Sequence, residues 1–203
     1  MTRFALPACA AALLALMNSV QPALACACCT DTAYRHAETE ILKARHTDQI
    51  NQIVFARPAK LFVGPADAGT RIRGVPDASE NYDVTVTRAN ERMTFSFRDD
   101  KGRTGTLSFL MPATIGVFEV DPRGDTKDNG LGPALYKEWR LANYAAGDGL
   151  FKAAINRNTR ATLIIHGRGN ACTSYEQFTD WTLQLSGPRG RFSFYGALDS
   201  ASR

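Results

Sequence analysis

From residue 82 onward apolar residues recur at every second position, and that period most limits what the chain can become. Tyr82, Val84 and Val86 alternate with Asp83, Thr85 and Thr87. Met93, Phe95 and Phe97 alternate with Thr94, Ser96 and Arg98, and Leu107 and Phe109 alternate with Thr106 and Ser108. Successive side chains on a strand point to opposite faces, so each run offers one face to a core and one to water. Ala89-Asn90-Glu91 and Asp99-Asp100-Lys101-Gly102 separate the runs and carry turn chemistry. Three strands joined by short polar turns predict an antiparallel meander.

The pattern extends on both sides. Lys60 to Val63, then segments near 115–120, 135–143, 150–156, 160–166, 180–186 and 191–195, read as further strands. Asn156-Arg157-Asn158-Thr159 and Gly187-Pro188-Arg189-Gly190 supply two more turns. The chain is therefore expected to be mainly β, with nine or ten strands in one antiparallel barrel or sandwich over residues 57–203. Before it the period differs. Tyr34, Ala37, Ile41 and Ala44 recur at three and four, which predicts a helix after Thr30 and Asp31. A second helical segment is expected from Asp48 to about Ala56, before Pro58.

Residues 1–25 have the three parts of an export signal. Arg3 gives the positive start, Phe4 to Val20 the apolar run, and Ala23-Leu24-Ala25 a small-x-small cleavage site. The apolar run is shorter than the roughly 20 residues that cross a bilayer, and no later stretch approaches that length. The mature chain is expected to be soluble and periplasmic or secreted. Cleavage would expose Cys26, but Ala23 stands where a lipid-modified cysteine wants a Leu-like residue, so a lipid anchor is not expected. Without Arg3 the chain carries 23 basic and 20 acidic groups, scattered singly. The nearest basic cluster, Arg71-Ile72-Arg73, is too small to track a phosphate backbone, and nucleic acid is not an expected partner.

Cys9 leaves with the signal, so Cys26, Cys28, Cys29 and Cys172 remain. Four cysteines in an exported chain ordinarily form a disulfide framework. Adjacent Cys28 and Cys29 would close a strained ring, which favours Cys172 bonded to one of them and Cys26 to the other. A loop of about 140 residues closed in this way is worth roughly 4 kcal/mol on a chain-entropy model. The same residues also fit a metal site, with three thiolates within four positions suited to copper or zinc and His36 seven residues downstream. A redox role for the C-x-x-C fits less well, because nothing structured precedes it.

Other candidates carry less. Gly167-Arg168-Gly169-Asn170 could bind an anion through backbone N–H groups, or simply bend toward Cys172. His166 ends an apolar run, as structural histidines do. The Asp121 to Gly130 loop fails as a calcium loop, since Lys127 falls on a ligand position and Tyr136 on the closing Glu. Trp139 and Trp181 are expected core anchors. Gly-x-Ser-x-Gly, His-Glu-x-x-His, phosphate-loop and dinucleotide motifs are absent. The balance favours an exported, non-catalytic protein that binds a small molecule in a barrel mouth or between sheets. The alternative is a metal-handling protein built on the Cys26–Cys29 cluster.

Overall fold

The computed structural model describes residues 34–64, 72–121, 135–169 and 174–199. Its elements, in chain order, begin with β1 (Arg35–Ile41), α1 (Ala44–Gln52), β2 (Val54–Phe55) and β3 (Pro58–Phe62). The meander follows as β4 (Asn81–Ala89), β5 (Arg92–Asp99) and β6 (Thr104–Leu110). Then come β7 (Thr114–Val120), β8 (Leu135–Gly149), β9 (Arg160–Gly169), β10 (Phe178–Gly187) and β11 (Gly190–Asp199). Eight of these strands close a barrel in the order β8-β6-β5-β4-β3-β11-β10-β9, and β9 pairs back to β8. Closure leaves these strands without an open edge that could recruit another chain.

The long β8 makes closure possible. Its second half pairs with β6, from Phe109↔Ala145 to Gly105↔Gly149, while its first half pairs with β7 on the same side. β7 in turn carries β1, so a two-strand flange extends from the barrel wall. The hairpin turns follow from their residues. Asn90 and Glu91 both take positive φ, 51° and 58°, as a two-residue turn of type I′ requires. Gly102, at φ 77°, serves the β5–β6 turn.

The inward positions are those the alternation marks. Phe95, Trp181, Leu183, Phe194, Leu163 and Leu141 are fully buried. Their rings fill the lumen: Phe55, Phe95 and Trp181 meet at centroid distances of 5.5 to 5.7 Å. Phe97, Phe194, Tyr82 and Phe151 continue the cluster, with Phe97 and Phe194 4.2 Å apart. The largest side chains therefore interlock inside the wall and leave the lumen to protein atoms. One end is capped by α1 through Ile50 and His46, followed by Ile53 and Phe55. The other is plugged by Phe151, Ala154 and Ile155.

Two expectations fail locally. The segment expected as a helix from Tyr34 is instead the strand Arg35–Ile41, and Ala37 and Ile41 are exposed. Residues 150–156, expected as a strand, form the turn that drops Phe151 into the barrel, while β8 continues unbroken to Gly149. The second helical segment exists but starts earlier, at Ala44, and ends at Gln52. Among the described residues, no helix is long and apolar enough to cross a membrane.

Candidate functional site

The inward face of β4 reads Tyr82, Val84, Val86, Arg88, so the apolar period ends on a guanidinium. Arg88 pairs in register with Met93, which is fully buried, and stands at the barrel mouth beneath α1. Its Nη2 donates to the carbonyl of Ile53, 2.9 Å away, at the C-terminal end of the helix. The guanidinium lies 5.3 Å from the Phe55 ring centroid. Burial disfavours its charged form. Nε is buried and without a hydrogen-bond partner. Arg88 thus ties the helix to the barrel and retains unused donor capacity.

Arg88 lines an open depression of ≈ 580 Å³ between α1, the β4–β5 turn and the β6–β7 connection. Leu42, Met111, Pro112 and Ala113 give it an apolar side. Thr47, Asn51, Asn90, Glu91 and Arg92 give it polar groups. Arg88 and Arg92 against Glu91 leave the depression net positive. Glu91 holds a left-handed conformation that favours Gly or Asn, and its carbonyl accepts the N–H of Met111 at 2.7 Å. A hydroxyl, two carboxamides, two guanidinium groups and an apolar wall suit capture of a small molecule with one anionic and one apolar part.

The flange, which adjoins α1 through Glu40 and Arg45, has its own charges. Lys137 is 1 % exposed and its Nζ is 3.3 Å from Glu119, also buried. Burial lowers the Lys137 pKa, and Glu119 acts against that shift. On β1 the period of two puts His36, Glu38 and Glu40 on one strand face, with their ligand atoms all within 4.8 Å of one another. His36 stands opposite Glu119 in the β1–β7 register.

The expected sites are placed as follows. Gly167, Arg168 and Gly169 belong to β9. A Cβ on Gly167 would lie 2.1 Å from the carbonyl oxygen of Gln177, and one on Gly169 would meet the Gln177 side chain. Close approach of the 3-10 turn Tyr175–Gln177 accounts for both glycines. Asn170, Cys26, Cys28, Cys29 and Cys172 lie outside the described residues, as does the segment 1–25. His166 sits on the outer barrel face opposite Glu138 and Asp180 in register, with Tyr136 6.0 Å from its ring. Trp139 and Trp181 are core residues, at 4 % and 0 % exposure. Arg88, Thr47 and Asn51 went unmarked in the sequence, although a charged residue extending an inward apolar period is a readable signal.

No family model matches the chain, and neither a curated protein nor a solved structure matches it.

Proposed function

We propose that this is an exported, non-catalytic protein that binds a small anionic molecule with an apolar part at the mouth of its barrel. The observation that carries the reading is Arg88, an inward-facing guanidinium with an unsatisfied buried Nε that lines the ≈ 580 Å³ depression. The filled lumen directs a ligand to this outer mouth rather than to the interior. Neither nucleic acid nor a membrane is a partner in this reading. Thermal unfolding of the mature protein with a panel of small carboxylates and phosphate esters tests it. A binder raises Tm in proportion to the logarithm of its excess over Kd. The shift should vanish in Arg88→Met and shrink in Asn51→Leu, an exposed residue whose side chain takes no part in the Arg88–Ile53 hydrogen bond. A panel that leaves Tm unchanged, or shifts that survive both substitutions, contradicts the assignment.

Export is proposed on the same terms as in the sequence: cleavage after Ala25 releases a chain beginning at Cys26. A disulfide framework fits the anchor points of the cysteine segments. The N–H of Asp121 donates to the carbonyl of Tyr34 at 2.8 Å, Val120 pairs with Tyr136, and Leu135 pairs with Gly169. Tyr34 and Gly169 are thus three strand spacings apart, about 14 Å. Cys29 precedes Tyr34 by five residues and Cys172 follows Gly169 by three, and eight residues can span about 27 Å. Bridging Cys172 to Cys28 or Cys29 is therefore within reach of the chain. Intact mass and thiol counting on material from a periplasmic extract decide between bridge and metal. A mass beginning at Cys26 with no free thiol is expected; four titratable thiols with bound copper or zinc would establish the metal-handling alternative instead.

A further inference from the structure

We infer that the flange strand β1 carries a surface site for a borderline divalent ion such as Zn(II), held by His36, Glu38 and Glu40. Alternation along the strand puts the imidazole and both carboxylates on one face without help from a turn or a loop. Zinc bonds to nitrogen and oxygen ligands are about 2.0–2.2 Å, so neighbouring donors in a tetrahedral shell lie roughly 3.3–3.5 Å apart. His36 Nε2 and Glu38 Oε2 are 3.5 Å apart, already at that spacing. No two of the three donor atoms are more than 4.8 Å apart, so reaching that spacing asks Glu40 for about 1.3 Å at most, within the reach of its rotamers. The side chains of His36, Glu38 and Glu40 are 35 %, 63 % and 26 % exposed, so an ion can enter and keep water in its fourth position.

Surface ion pairing accounts for less of this arrangement. His36 with Glu38 and Arg45 with Glu40, the latter at 3.8 Å, are partly exposed pairs of small worth. They leave two carboxylates on one face beside Glu119, whose side chain shares that face and reaches Lys137. The donor set is one nitrogen and two oxygens without sulfur, which suits Zn(II), Co(II) or Cu(II) and not Cu(I). The site draws on no sulfur, and it stands whether or not the barrel mouth binds an anion.

The test uses the mature full-length protein with its thiols alkylated. Zn(II) titration by calorimetry should give one site. Cu(II) electron paramagnetic resonance should report one imidazole nitrogen with oxygen ligands and no sulfur. Glu38→Gln, at the most exposed of the three residues, should weaken Zn(II) by about tenfold or more, as losing even an outer-shell partner does. It should leave apo-protein Tm unchanged. His36→Ala should abolish the nitrogen signal, while His166→Ala should preserve it. No Zn(II) binding in alkylated protein, equal affinity in Glu38→Gln, or a nitrogen signal surviving His36→Ala would each overturn the site.

Discussion

Asp99 shows how one buried carboxylate is kept charged. It is 5 % exposed at the end of β5, where burial pushes its pKa up. The opposing contacts are stronger. Arg103 donates from Nε at 2.7 Å and from its backbone N–H at 2.8 Å, and the N–H of Lys101 donates at 3.0 Å. Hydrogen bonding and the positive charge of Arg103 together hold the Asp99 pKa below its ordinary value. A depressed folded-state pKa contributes stability that is fully present above the unfolded value, near pH 4, and is lost as pH falls through the folded value. Asp99→Asn should therefore cost about 2 kcal/mol at neutral pH, the scale of hydrogen bonds to a charged group. The cost should shrink steadily below pH 4 until the variant and the parent converge. Urea titrations at several pH values measure this; a penalty independent of pH would remove the charge from the explanation.

At the scale of elements, the docking of α1 should respond to pH. His46 is 5 % exposed, edge-on to Trp139 at 5.5 Å. Its Nδ1 accepts the N–H of Lys43 at 3.3 Å, a role that a protonated nitrogen cannot fill. Burial lowers its pKa, and the positive charges of Arg45 and Lys43 act in the same direction against the opposing Glu40. The unfolded chain then binds the extra proton first, so stability falls as pH drops from about 6.5 through the lowered folded value. Hydrogen-exchange protection factors, referenced to the intrinsic rate at each pH, should fall at Ile50 and Ile53 over that window, with those of β9 unchanged. Equal protection of the helix at pH 7 and pH 5 would exclude His46 as the sensor.

The elements also differ in how readable they were. The β4–β6 meander was plain in the sequence because each strand has one buried and one wet face. β1 was not, because it hangs from β7 outside the closed barrel and both of its faces are largely polar or exposed. An edge strand of this kind has no apolar period of two, and the chance spacing of Tyr34, Ala37, Ile41 and Ala44 imitated a helix. Phe151 misled in the other direction. Its apolar neighbours Leu150, Ala153, Ala154 and Ile155 resemble a strand, yet Phe151, Ala154 and Ile155 pack as a plug whose partners come from distant strands. Arg88 was legible only as a break in a period, which becomes meaningful once the mouth and α1 are in place.

For the whole molecule, the account joins a filled barrel to a binding surface placed outside it. Phe95, Trp181 and Phe194 fill the lumen, so the proposed ligand would sit outside it. The most direct test is an amide NMR titration of the mature protein with benzoate, which pairs one carboxylate with an apolar ring. The account predicts shifts concentrated at Thr47, Asn51, Arg88 to Arg92 and Ala113, with the lumen strands β9 and β10 silent, and their loss in Arg88→Met. Shifts centred on Leu163, Ile165 and Leu183 inside the barrel, or none at millimolar excess, would contradict it.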